Sequence, residues 1–265
     1  MSQADHRWAV ILGASSGFGE ATALELSRNG YDICGVHLDR RASLPHVEEI
    51  VVEIRKNGRK AFFVNGNAAD EEKRKEVIKG LKAEDPDAHV AVLMHSLAFG
   101  TLKKLVAENA EDQITASQMN MTLDVMAHSL VYWVQDLLRA GLLVKGSRIF
   151  AMTSSGSLVV APTYGAVSAA KAALESHVRQ LTLELADRGI TINAIRAGVT
   201  ETPSSMKIPS YEAMKQVALS RNPTGRITTT QDVARAIVVL SQPDAYWING
   251  NVINVDGGEM IVGTR

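Results

Sequence analysis

Cysteine is almost missing from this 265-residue chain: Cys34 stands alone, which excludes an intramolecular disulfide framework and a cysteine-rich zinc site and suits a reducing compartment. Net charge is nearly missing too. Twenty-eight basic against 29 acidic side chains leave a formal charge of −1, so no global field gathers nucleic acid or an anionic membrane surface. No apolar run approaches the roughly 18 uninterrupted residues of a membrane span, and even residues 123–138 carry Asp124, His128, Gln135 and Asp136. The polar, acid-containing start at residues 1–7 does not read as a secretion signal. His95, His128 and His177 fall on separate segments without His-x3-His or carboxylate spacing, which predicts core histidines rather than metal ligands. These absences predict a soluble, cytoplasmic chain with no nucleic-acid, membrane or metal partner.

What is present is ordinary globular composition, 46% apolar and 22% charged, enough for a substantial core. Short apolar runs at 8–12, 32–37, 60–64, 90–95, 147–152, 191–195 and 251–255 read as buried parallel strands. Between them, 19–29, 47–57, 71–82, 112–140, 168–188 and 231–241 show helical periodicity, several ending at Gly or Asn. Strand alternating with helix predicts a Rossmann-type, doubly wound α/β domain of about seven strands in three layers, occupying 1–265 as a single unit. The exception is 202–226, with Pro203, Pro209, Pro223 and an amphipathic stretch at 211–219, which reads as a lid. The apolar 123–138 stretch is compatible with an interface or with plain core.

The first strand runs into Gly13-Ala14-Ser15-Ser16-Gly17-Phe18-Gly19 and then a helix. Glycines let the backbone turn sharply and approach a pyrophosphate, whose charge meets free N–H groups and the positive end of the helix. The spacing G-x-x-x-G-x-G resembles the short-chain dehydrogenase/reductase family, and other landmarks follow in that family's order across residues 8–258. The resemblance implies a dinucleotide held at its phosphates by Gly13, Ser15, Ser16, Gly17, Phe18 and Gly19. It implies Asn67 and Ala68 at the adenine, Ser96, Leu97 and Ala98 along the floor, and Ala197, Gly198, Val199, Thr200 and Thr202 around the nicotinamide amide. Asn120 matches the family's structural and proton-relay Asn.

Most of the family places a proton-donating Tyr four residues before a Lys that holds the nicotinamide ribose. Here Lys171 fits the Lys, but Val167 occupies the Tyr position and Tyr164 lies seven residues before Lys171. At about 100° per residue that separation returns to nearly the same helix face, roughly a turn further along. The displacement has a chemical meaning. Ketone reduction puts hydride on the carbon bearing the oxygen, whereas reduction of a 2-enoyl thioester puts it on C3, away from the carbonyl that collects charge. Tyr-x6-Lys resembles the enoyl-acyl-carrier-protein reductase branch, as do Met94-His95-Ser96-Leu97-Ala98-Phe99-Gly100 and Ala197-Gly198. Ser154, seventeen residues before Lys171, resembles the NADPH-using variant group.

The resemblance therefore implies reduction of a trans-2-enoyl thioester, carried by acyl carrier protein or coenzyme A, by a homotetramer. Catalytic candidates are Tyr164, Lys171, Ser154 and Asn120; Phe99, Ser154, Tyr164, Met206 and Tyr211 are candidates for substrate contact. A second Tyr-x3-Lys at Tyr211…Lys215 lies in the lid and reads as cover over substrate. At His37-Leu38-Asp39-Arg40-Arg41, after the second strand, Arg40 and Arg41 could grip a 2′-phosphate while Asp39 would repel it, and the balance favours NADP(H) over NAD(H). A ketoreductase using Tyr164 differently, and a nucleotide-sensing regulator without catalysis, are the rivals. An acidic carrier would need a local basic patch, for which Lys207, Lys215 and Arg221 are candidates.

Overall fold

The computed structural model describes residues 6–263. Seven parallel strands form one sheet in the order β3-β2-β1-β4-β5-β6-β7. They are β1 (Arg7–Leu12), β2 (Asp32–His37), β3 (Ala61–Asn65), β4 (His89–His95), β5 (Arg148–Thr153), β6 (Thr191–Ala197) and β7 (Val252–Val255). Parallel strands buried on both faces read as near-continuous apolar runs, which is why each was visible in the sequence to within two residues.

Helices cover both faces. α3 (Glu71–Glu84), α4 (Ala116–Leu123), α5 (Ser129–Arg139) and α6 (Gly165–Leu185) lie on one side; α1 (Gly17–Arg28), α2 (Leu44–Lys56) and α8 (Thr230–Leu240) lie on the other. Strand side chains alternate between the two cores: Trp8, Val10 and Leu12 face the first, Ala9 and Ile11 the second. α7 (Tyr211–Arg221) and a short turn at Ser205–Lys207 sit within the 202–226 lid segment.

The helix expected over 112–140 runs from 116 to 139 and changes its winding on the way. α4 begins only at Ala116, behind a capping box in which Thr115 and Gln118 satisfy each other's backbone, and a π-helical segment at Asp124–His128 separates it from α5. The apolar stripe of 123–138 is core, since Leu130, Trp133, Val134 and Leu137 are buried under the sheet. Among the described residues no helix is long and apolar enough to cross a membrane.

Candidate active site

The strand order reverses between β1 and β4, and in such sheets the crevice at the carboxyl ends of those strands is where ligands bind. A cavity of about 380 Å³ opens there, within the range of small-molecule sites. At its phosphate end Gly13, Ser15, Ser16, Gly17 and Phe18 line the wall. Gly13 sits at φ +90°, and a Cβ on it would come within 2.5 Å of the Ser96 carbonyl oxygen, so the turn passes too close to β4 for any side chain. Ser16, the N-cap of α1, makes no side-chain cap, which leaves the first amides of that helix available to an anion. Gly19 faces the backbone of Gly13 and lies outside the lining: it is where the helix packs on the turn.

Beyond the glycine turn, His37, Asn67 and Ala68 line one end and Ser96, Leu97, Ala98 and Phe99 the floor. Ala197, Gly198, Val199, Thr200 and Thr202 close the far side. Asp39, Arg40 and Arg41 do not line the cavity. The Asp39 carboxylate is 2.9 Å from His37 Nδ1, and its backbone is clasped by Asn65. Arg40 and Arg41 project into solvent because the chain turns at Arg41–Ser43 to enter α2.

At the reacting end, Tyr164 is the N-cap residue of α6, not part of its regular turns, and its hydroxyl lies 3.5 Å from Ser154 Oγ. Ser154 Oγ accepts the Gly156 N–H at 3.1 Å, leaving its own proton free to be donated. Burial pushes the Tyr164 phenol above its ordinary range, with Ser154 pulling the other way, so it is a neutral donor at physiological pH. Lys171 is buried on α6 and donates to the Met152 carbonyl at 2.7 Å. Burial pulls its ammonium down to about 8, opposed by the charge of Glu175. Val167 is also in the wall, packed towards Gly100 and Met126.

Two residues expected at the reacting end lie elsewhere as well. Asn120 is exposed on α4 and lies outside the lining; the π-helical segment brings Val125 and Met126 to the cavity instead. Met206 is 54% exposed, because Ser205 is tied to the Thr200 carbonyl and to Thr202, turning the next side chain outward. From the lid, Ile208, Tyr211 and Met214 face the cavity, with Lys207 at its edge. Ile208, Val125 and Met126 were missed because apolar residues in irregular segments carry no periodic signal; Met214 lies on α7, inside the stretch read as amphipathic cover. Among the histidines, His95 is fully buried against Ser129 and pushed down to about 3, while His128 and His177 pair with each other at 3.0 Å.

The residues present fit a dinucleotide: a glycine cradle with uncapped helix amides at one end, and a buried ammonium with unused protons at the other.

A family model described as Enoyl-(Acyl carrier protein) reductase matches residues 13–259. The 1-cyclohexenylcarbonyl-CoA reductase of Streptomyces collinus is 30% identical over 261 residues, covering 96% of this chain and 87% of that protein. A 3-oxoacyl-[acyl-carrier-protein] reductase of Synechocystis sp. is 28% identical, covering 94% of this chain and 95% of its own length. Among solved structures, enoyl-[acyl-carrier-protein] reductase (NADH) from Aquifex aeolicus VF5 superposes over 100% of both chains with a TM-score of 0.85 at 25% identity.

Proposed function

This chain belongs to the short-chain dehydrogenase/reductase superfamily, in the family named for enoyl-(acyl carrier protein) reductase, and from that membership we propose that it reduces the C2=C3 bond of 2-enoyl thioesters. The cofactor is a nicotinamide dinucleotide, which when bound in reduced form supplies the hydride to C3. The observation that carries the reading is the cavity wall itself: Val167 stands four residues before Lys171, and the phenol in that lining belongs to Tyr164 at the head of α6, 3.5 Å from Ser154.

As C3 is reduced, negative charge collects on the thioester carbonyl oxygen, three bonds away. Tyr164, a neutral donor, hydrogen-bonds that oxygen, and Ser154 donates beside it; a proton then reaches C2 to complete the saturated thioester. Lys171 holds the nicotinamide ribose, with protons left over after its bond to Met152. The lid residues Ile208, Tyr211 and Met214 exclude water above the acyl chain. The Streptomyces collinus relative is, by its name, a reductase of a conjugated cyclic thioester, which supports this substrate class.

Acyl carrier protein is the proposed thioester carrier, with coenzyme A as the alternative; Lys207 at the cavity edge makes no ion pair with another described residue and is placed to meet a pantetheine phosphate. NADPH is the proposed nucleotide. Arg40 and Arg41 are exposed and form no ion pair among the described residues, while Asp39 is turned to His37.

A second reading, reduction of a 3-oxoacyl thioester, is favoured by the Ser154–Tyr164 pair, which could grip one ketone oxygen, and by the name of the Synechocystis relative. Crotonyl and acetoacetyl thioesters assayed side by side with NADPH and NADH separate the two. The expected result is crotonyl turnover with NADPH preferred, and loss of that preference in Arg40→Ala/Arg41→Ala. Turnover of acetoacetyl thioester alone would overturn the enoyl assignment.

A further inference from the structure

We propose that the buried Glu175–Arg196 pair is a positioning device for the reaction, holding the turn that carries Ser154 and placing a carboxylate one helical turn from Lys171. The proposal rests on the roles given above to Ser154, Tyr164 and Lys171. Glu175 lies one helical turn beyond Lys171 on α6, and Arg196 lies on β6; each is 7% exposed. One carboxylate oxygen, Oε1, meets three donors: the Thr153 hydroxyl at 2.7 Å, the Ser157 hydroxyl at 2.8 Å and Arg196 Nη2 at 3.0 Å.

Those partners bracket the site. Thr153 immediately precedes Ser154, and the Ser157 hydroxyl also lies 3.0 Å from the Ser154 carbonyl. Gly156, between them, gives its N–H to Ser154 Oγ and sits so close to Tyr164 that a Cβ would overlap the ring. The carboxylate thus fixes both edges of a turn whose middle orients Ser154 and seats Tyr164. An ion pair this deeply buried is weak grounds for stability, because desolvation offsets its Coulomb gain and an apolar replacement is often neutral or better. Its position beneath the reacting groups supplies the reason a stability argument does not.

Charge gives it a second part. The titratable groups that act on or are acted on by Lys171 are Glu175 on the same helix and His95 on β4; Tyr164, at the head of that helix, lines the same cavity, and Arg196 on β6 pairs with Glu175. His95 is neutral through burial, Tyr164 is neutral, and Arg196 is already paired. In the neighbouring π segment, Asp124 is engaged with Tyr132 and His128 with His177. Glu175, shared with Arg196, is the carboxylate whose charge opposes the desolvation of Lys171, whose ammonium stands at about 8.

The test compares Glu175→Gln, which keeps the shape and removes the charge, with Ser157→Ala, which loosens one grip and leaves the charge. Turnover and NADPH affinity, read by fluorescence of the bound nucleotide, are measured from pH 6 to 10. For Glu175→Gln the alkaline limb of both is expected to move down by about one pH unit, with kcat lowered at every pH. For Ser157→Ala kcat is expected to fall several-fold while the limb stays in place. A folded Glu175→Gln protein with the parental limb would overturn the proposal; should that variant not fold, parental kcat in Ser157→Ala would do so. Absence of crotonyl turnover in the parent would sink the substrate reading separately, because the nucleotide-affinity limb is read without substrate.

Discussion

Tyr164 is placed by an irregular backbone rather than by helix periodicity. Thr163, just before it, is the one non-glycine among the described residues at positive φ, +61°, a conformation that costs a β-branched residue on the order of 1–3 kcal/mol and is held by its surroundings. The phenol enters the site at the head of α6, where replacing Tyr164 with Phe removes the donor and leaves the ring. kcat is expected to fall about 100-fold or more, with NADPH affinity unchanged in a direct titration; an unaltered kcat would refute the donor role. Val167→Tyr is the converse. The new ring enters the cavity that Val167 lines, and the variant is expected to fold with a modest loss of Tm and to gain acetoacetyl-thioester reduction. Lys171 makes the parent sensitive to alkali: its ammonium is present below about 8 and lost as the pH rises through that value, taking kcat/KM with it.

At the scale of elements, caps decide what periodicity leaves open. α8 starts at Thr229 and Asp232, which cap each other, and Arg226 adds two hydrogen bonds to the same carboxylate. Those partners hold the Asp232 carboxyl well below its ordinary range, Arg226 contributing most. The stabilisation is complete above the unfolded-state value near ~4 and is lost as the pH falls below it. Asp232→Ala is expected to cost roughly 1 kcal/mol, read as a lower Tm at pH 7, with the difference from the parent shrinking towards pH 3. The same kind of signal at Thr115 and Gln118 starts α4 at residue 116, four residues after the start that periodicity alone suggests. The π segment after it was not legible in the sequence. A widened turn is selected by packing of Val125, Met126 and Ala127 under the sheet, so the face on which Asn120 ends up could not be read from a regular helical wheel.

Across the whole molecule, the cavity is lined from both halves of the sheet, by the β1 and β2 turns on one side and by β5, β6 and the lid on the other. A dinucleotide spanning it binds only the assembled fold. At a hundred times its Kd, NADPH is expected to add about 2.7 kcal/mol, a Tm rise of roughly 5–10 °C; no shift by calorimetry would show that the crevice does not bind it. The strands, the glycine turn, the family and the seven-residue spacing from Tyr164 to Lys171 were legible in the sequence, because parallel strands are apolar along their length and those motifs are local in the chain. Only the tertiary structure decided the rest. Arg40 and Arg41 lie in solvent, Met206 turns away, Asn120 faces outward, and Glu175 meets Arg196 beneath Ser154. Each of these depends on contacts between segments far apart in sequence, and nothing local to any one segment encodes where the other will be.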